Sequence, residues 1–374
     1  MAMHTRTHPL QHGSIGCQYA LTSLHYGQAD GSRRAYLQAS LHADELPGML
    51  VLHHLRQLLA AADAQDAIQG EIVLLPFANP LGLAQRLMHD PQGRFELNSG
   101  ENFNRLFPDY YALVRDQVAP LLGQQAEHNR DIVRAAIHDA LARMQPGSAL
   151  AALRHTLSTL AQGSDLVLDL HCDREAVLHL YTDEPFWPDC EALARYLGVA
   201  VTVLGRNAGG STFEESCGQV WWRLAREFAA QHPLAPGCVS ATIELRGQGD
   251  LQHEQARRDA AAIYAFLQRR GHIAGDAPEL PPPVARPMYW EGMQSLVAPH
   301  AGLLVHTRPL GASVRAGESV AEVIDVQHNR VSAICSASDG ILYARQRPGY
   351  FLAGAELCRV VGHDDTGHGA VMLA

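Results

Sequence analysis

His42 and Glu45 stand three positions apart in LHADELPG, after an apolar stretch and immediately before a helix start at Pro47. An imidazole and a carboxylate in such a strand-to-helix loop can converge on one point and hold a metal ion. Alone the pair says little, because 21 His and 39 acidic residues in 374 make about two His-x-x-carboxylate pairs expected by chance. Two occur. The other, His128 with Asp131, falls in a polar helical segment and reads as an exposed helix pair. For His42 and Glu45 the competing reading is a hydrogen-bonded pair within the loop.

His171 ends the apolar run LVLDLH (166–171), which puts an imidazole at the rim of a buried strand and offers a third ligand. Two His and one carboxylate leave zinc an open position for water, whose pKa falls to about 7 when bound. Asp169, two residues earlier on the same strand face, is placed to orient a ligand imidazole from behind. Glu244 lies near the end of a second buried run, VSATIEL (239–245). An ionisable group there costs several kcal/mol unless function or pairing keeps it. It is the candidate base for metal-activated water, and the alternative is a salt bridge with Arg246 on the same strand face. The segment GRFELNSGENFNRLFPD (93–109) sets Arg94, Asn102, Asn104 and Arg105 among Gly, Pro and Phe, a composition for a rigid loop. Guanidinium groups held still can fork a carboxylate and stabilise an oxyanion.

These residues need a frame. EIVLLPFANP (71–80), LVLDLH and VSATIEL read as buried strands, and PGMLVLHHLRQLLAAAD (47–63) and DAAAIYAFLQRRG (259–271) read as helices. Alternating strands and helices predict an α/β sheet covered on both faces, with chemistry beyond the strand ends. The stretch from about 112 to 160 is helical and carries no usable motif. APELPPPVARP (277–287) is too rich in proline for helix or internal strand. The expected organisation is a catalytic domain over 1–276, a linker over 277–288 and a small β-barrel or sandwich over 289–374, its tail from 363 frayed.

Composition narrows the chemistry. All 29 basic residues are Arg, which excludes Schiff-base and pyridoxal-phosphate enzymes, a P-loop lysine, and lipoyl or biotin attachment. The net charge of −10 is spread along the chain, so no nucleic-acid partner is expected. Seven Cys without a C-x-x-C suggest neither a disulfide framework nor a zinc knuckle, and a cytoplasmic location is expected. No signal-peptide core and no run of eighteen apolar residues is present, so no membrane partner is expected either. A serine hydrolase lacks its G-x-S-x-G.

The order HADE, NP at 79–80, NFNRLFP, DLH and TIELRG resembles the succinylglutamate desuccinylase/aspartoacylase family, relatives of the carboxypeptidase A-like zinc peptidases. The resemblance implies an α/β fold with a mixed twisted sheet flanked by helices, zinc carboxypeptidase-like, and one Zn2+ per chain on His42, Glu45 and His171, with Glu244 as catalytic base. It implies that Asn104 and Arg105 bind a substrate carboxylate and that Arg94 is the oxyanion arginine, with Arg86 in the same connection as the other choice. The chain has Glu101-Asn102-Phe103-Asn104-Arg105 where the family commonly has a short Asp-Leu-Asn-Arg. The implied reaction is hydrolysis of a small N-acyl amino acid, with the acyl group open among succinyl, aspartyl-type and acetyl. Arg246 is an added candidate for contact with an acidic acyl group, and Gly209, Gly210, Ser211 and Thr212 are candidates for a pocket wall. The C-terminal unit looks like the family's biotinyl-like domain, and without Lys it cannot be a carrier. It is expected to border the mouth of the site. Assembly of identical chains stays open. The rival readings are a metallocarboxypeptidase and a non-catalytic zinc-binding regulator.

Overall fold

The computed structural model describes residues 3–29, 33–206 and 211–364. Its largest element is a nine-stranded mixed sheet. In chain order its strands are β1 (His4–Pro9), β2 (Ala20–Gly27), β3 (Arg34–Ala39) and β4 (Glu71–Leu75). A small separate hairpin of β5 (Arg86–Leu87) and β6 (Asp90–Pro91) follows, then β7 (Leu166–Asp173), the short β8 (Glu175–Ala176) and β9 (Leu178–Asp183). The sheet continues with β10 (Val201–Gly205), β11 (Val239–Gly247) and β12 (Met288–Tyr289), and the spatial order is β1-β2-β4-β3-β7-β11-β9-β10-β12. The central pairs β3·β7 and β7·β11 are parallel, and β11·β9 is antiparallel. This is the mixed sheet that the family resemblance implies; the alternating pattern alone predicts the α/β layering and not the antiparallel pairs.

Helices cover both faces. On one lie α1 (Pro47–Asp63), then, past α2 to α5, α6 (Trp187–Leu197) and α8 (His253–Arg269). They bury Leu52, Leu55, Leu193, Ile263 and Phe266 against Leu168, Leu170 and Ile243 of the sheet. The other face carries α3 (Tyr110–Val118), α4 (Ala126–Arg143), α5 (Ala149–Ala161) and α7 (Phe213–Phe228), packed on Tyr36, Val73 and Val167. The helix starts follow from their caps. Pro47 opens α1, Asn79 accepts from Gly82 N to start α2 (Pro80–Ala84), and Asp109 and Ser148 cap α3 and α5. Thr212 and Glu215 form a capping box on α7. α8 begins six residues earlier than its apolar pattern, at His253.

Strands β1 and β2 form an antiparallel hairpin at the sheet edge, and the apolar pattern does not show it: β1 reads HTRTHP and is almost wholly exposed. At the other end, residues from 276 to 287 carry no helix or strand, and β12 joins the edge of the large sheet beside β10. Beyond it come β13 (Met293–Val297), β14 (Gly302–His306), β15 (Ser313–Val314), β16 (Ser319–Asp325), β17 (Arg330–Cys335), β18 (Gly340–Arg345), β19 (Tyr350–Phe351) and β20 (Glu356–Val361). They make two small antiparallel sheets over a core that includes Val320, Val323, Leu342 and Leu357. Strand β18 pairs with β8, and Val177 N donates to Tyr343 O at 2.9 Å, so this unit is hydrogen-bonded to the connection that leaves β7. Residues 365–374 of the expected frayed tail, and Gly209 and Gly210, lie outside the described residues. Among the described residues no helix is long and apolar enough to cross a membrane.

Candidate metal centre

Where β3 stops, Ser40 takes a left-handed backbone (φ 59°) and its hydroxyl donates to Glu45 O at 2.9 Å, folding HADE back over the strand end. Asn79 Nδ2 donates to Leu41 O at 2.8 Å, so the NP motif holds the same turn. Gly93 lies against it from a third side. Ala43 N donates to Gly93 O at 2.8 Å, and a Cβ on residue 93 would sit 2.0 Å from Asp44 N, so only glycine fits. Three separated sequence motifs are thereby locked around one loop.

The result brings His42, Glu45 and His171 together, all buried, with ligand atoms within 4.8 Å of one another. The carboxylate of Glu45 lies between the imidazoles: His42 Nδ1 is 2.9 Å from Oε1, and His171 Nδ1 is 2.7 Å from Oε2. The outer nitrogens face oxygen. His42 Nε2 is 2.8 Å from Asn102 Oδ1, which also accepts from Asn104 N, and His171 Nε2 is 2.9 Å from Asp169 Oδ2. Asp169 is in turn held by Gln38 Nε2 at 3.1 Å, and Gln38 by Tyr36. Acceptors behind Nε2 draw its proton outward and leave each Nδ1 lone pair aimed inward. Two lone pairs and a carboxylate facing one point repel unless a cation lies among them, so the donor set fits a divalent metal. The charges agree. Burial favours a neutral Glu45, yet His42 and His171 hold its pKa well below the usual carboxylate range. Burial likewise opposes charge on His171, and Asp169 with Glu45 outweigh it and hold its pKa well above the ordinary value.

Glu244 stands beside His171 in the β11·β7 register and beside His179 in the β11·β9 register. Its Oε2 is shielded from solvent and has no hydrogen-bond partner. Burial, then Asp173 and Glu45, push its pKa well above the carboxylate range. The salt bridge with Arg246 does not form. The ladder shifts register between Glu244 and Gly247, and Arg246 takes a positive φ of 67°. This bulge turns its guanidinium onto Asp259 of α8, at 2.8 and 3.1 Å. Strict alternation had placed Arg246 on the Glu244 face, and the expected contact with an acidic acyl group is therefore dropped.

Arg94 and Arg86 part company. Arg94 Nη1 lies 3.3 Å from Glu45 Oε1 and 3.4 Å from His42 Nδ1, whereas Arg86 sits on the exposed β5 hairpin. The loop carrying Asn104 and Arg105 is braced by the buried Arg154 of α5, which donates to Glu101 at 2.7 Å and to Asn102 O at 2.8 Å. Asn104 Oδ1 accepts from Phe213 N at 2.8 Å, which ties the loop to the start of α7, and Arg105 Nη1 donates to Asn104 O. Burial and then Arg94 lower the Arg105 pKa from its ordinary value. The pair His128 and Asp131 lies exposed on α4, as expected.

Several groups at the site act where the sequence does not place them. Asn102, grouped with the Arg-bearing loop, instead backs His42 across a 60-residue separation. Asp173 and His179 meet Glu244 within 4.8 Å. Arg359 of β20 reaches Asp173 Oδ1 at 3.3 Å, so the C-terminal unit touches the rim of the site. Two residues after His171 in DLHCD, Asp173 could have been found by its place at a strand rim. Arg359 could not, because only the docking of the two units brings it there.

The helix-flanked mixed sheet carries a two-His, one-Glu cluster at its strand ends, a donor set compatible with a bound metal. Residues 32–138, which contain His42, Glu45, Arg94, Asn104 and Arg105, match the family model for the succinylglutamate desuccinylase/aspartoacylase catalytic domain. Among curated proteins no sequence matches the chain. Solved structures share the fold over nearly its whole length. A protein from Shewanella frigidimarina NCIMB 400, provisionally designated a succinylglutamate desuccinylase/aspartoacylase, is 24% identical with a TM-score of 0.85, covering 96% of this chain and 97% of that one. A succinylglutamate desuccinylase/aspartoacylase from Rhodobacter sphaeroides is 19% identical (TM-score 0.66, 97% and 96% covered). The ectoine utilization protein EutE (DoeB) from Ruegeria pomeroyi, solved with product bound, is 17% identical (TM-score 0.68, 97% and 95% covered). The family read from the five ordered motifs is the one that these comparisons return.

Proposed function

We propose that the protein is a zinc-dependent deacylase that hydrolyses the amide bond of a small N-acyl amino acid. The observation that carries this reading is the pair of Nδ1 atoms at 2.9 and 2.7 Å from opposite oxygens of Glu45, each imidazole backed by an oxygen acceptor, beside a buried carboxylate with an unpartnered oxygen. His42, Glu45 and His171 would hold one zinc ion, which supplies Lewis acidity to water and to the acyl carbonyl. Glu244 takes a proton from the attacking water at Oε2 and gives it to the departing nitrogen as the C–N bond breaks, leaving a carboxylate and an amine. Arg94 faces the position where negative charge develops on the acyl oxygen. Arg105, on its braced loop beside Asn104, holds a substrate carboxylate.

Metal analysis joined to a panel of N-acetyl, N-succinyl and N-aspartyl amino acids tests this. The expected result is about one zinc per chain and turnover of at least one N-acyl class, both lost in His171→Ala. Release of C-terminal residues from unmodified peptides, with no N-acyl hydrolysis, would replace the deacylase by a carboxypeptidase. Full zinc content with neither activity would leave a metal-binding regulator.

A further inference from the structure

Glu244 lies between two imidazoles, His171 across the β7 ladder and His179 across the β9 ladder. His179 is wholly buried and packs edge-on against the rings of Tyr181 and Tyr343, each with centroids 5.1 Å away. Its Nδ1 lies 2.8 Å from Val177 O, which can only accept. The proton of the neutral ring is therefore on Nδ1, and Nε2 carries a lone pair. That Nε2 has no hydrogen-bond partner, and neither has Asp173 Oδ2 or Glu244 Oε2, all three shielded from solvent. The three residues each bring a ligand atom within 4.8 Å of the other two. Three acceptors meet there without a donor.

Direct hydrogen bonds do not relieve this. His179 Nε2 is 3.5 Å from Asp173 Oδ2, beyond the roughly 3.2 Å reach of a good hydrogen bond. The separation instead matches two ligands of one ion, since bonds of about 2.1 Å at a tetrahedral angle leave their outer ends about 3.4 Å apart. A water has only two protons to offer three acceptors, whereas an imidazole with two carboxylates is a donor set for a divalent ion. The charge agrees. Arg359 engages the other oxygen of Asp173, Nη1 to Oδ1 at 3.3 Å, and turns Nη2 to Glu356 at 2.8 Å, so Asp173 Oδ2 stays free. Asp173, Glu244 and Glu356 against Arg359 leave two negative charges when all are ionised.

We propose that Asp173, His179 and Glu244 form a second, weaker site for a divalent metal ion, through which excess zinc inhibits the enzyme. It is the weaker site because Asp173 is shared with a guanidinium and both carboxylate residues are only half-buried, whereas His42, Glu45 and His171 are buried. With one zinc per chain, at the central cluster, Glu244 serves as base; an ion on Oε2 occupies the lone pair that takes the proton of water. The inhibition rests on the deacylase reading, and the binding does not.

Equilibrium dialysis against excess zinc, read by elemental analysis, should give a second saturable equivalent per chain beyond the tightly held first. His179→Gln and Asp173→Asn should each keep the first and weaken the second by at least about tenfold, the least that even an indirect partner of a metal contributes. Asp173→Asn, at a half-buried position, carries the test if the core change at His179 destabilises the fold. Turnover, normalised for each protein to its own rate with one zinc, should fall about 10²-fold or more as the second equivalent binds, and the variants should need more zinc to reach that loss. A second equivalent weakened in the variants, with no N-acyl hydrolysis by any of the proteins, supports the site and fails the deacylase reading alone. One equivalent at every zinc concentration overturns the site and leaves the deacylase standing. A second equivalent that persists unchanged in both variants belongs to other histidines and overturns it too. Binding at this site with undiminished turnover takes Glu244 out of the ligand set and overturns the proposal.

Discussion

Among the described residues two groups of two His and one Glu have ligand atoms within 4.8 Å of one another: His42, Glu45 and His171 at the centre of the sheet, and His4, His25 and Glu71 at its edge. They differ in what stands behind them. At the edge, His25 Nδ1 contacts Glu71 Oε1 at 2.7 Å, Nε2 meets Ser23 Oγ at 2.8 Å, and Arg34 Nε donates to Glu71 Oε2 at 2.7 Å. The carboxylate is already neutralised by a guanidinium, and His4 is exposed and stacked on His25. At the centre, the outer nitrogens lie 2.8 and 2.9 Å from oxygens of Asn102 and Asp169, the inner ones face a shared carboxylate, and all three residues are buried. Ligand identity is the same in both; the burial of the second imidazole, and the distance at which a guanidinium meets the carboxylate (2.7 Å at the edge, 3.3 Å at the centre), are not.

The largest expected effect separates the two groups directly. His42→Ala or His171→Ala should abolish stoichiometric zinc binding and turnover together, while His25→Ala should keep about one zinc per chain by elemental analysis. Equal metal loss in all three would erase the distinction. Next in size, Glu244→Gln should lower kcat by about 10²–10⁴-fold with zinc retained, because it removes the proton acceptor and no ligand. A variant that loses its zinc instead would make Glu244 a ligand. Smaller again, Asp169→Asn should weaken zinc affinity by about 10–100-fold in a chelator competition. It keeps the shape behind His171 Nε2 and removes the charge. Unchanged affinity would mean that the acceptor behind the imidazole is not what distinguishes the centre from the edge.

Much of the centre was legible because each part sits at the end of a recognisable run: HADE after a strand and before Pro47, DLH at a strand rim, TIEL in a second buried strand. Helix α1 was read to the residue, since its apolar stripe and its proline agree. What escaped has physical reasons. The edge strand β1 buries little, so it lacks the alternation that announces a half-buried strand. Arg246 was placed on the wrong face because a bulge breaks the period of two without leaving a mark in the residue types. Asn102 and Arg359 act through contacts that span 60 and 186 residues, which local pattern cannot supply.

The edge group makes a prediction of its own, the smallest in size. His25 and Arg34 hold Glu71 down at about 2, although burial opposes this. A carboxylate whose folded pKa is depressed binds fewer protons in the native state than in the unfolded one at intermediate pH. Its stabilisation is therefore complete above the ordinary carboxylate value near 4.5 and disappears as pH falls through about 2. Urea melts between pH 5 and pH 2 should show wild-type protein losing on the order of 1–3 kcal/mol more than Glu71→Gln across this window. Glu71→Gln should be the weaker protein at pH 5 and should converge toward wild type near pH 2. Parallel pH profiles for the two proteins would show that the edge network is not an ion pair in solution, and its contrast with the central cluster would then rest on burial alone.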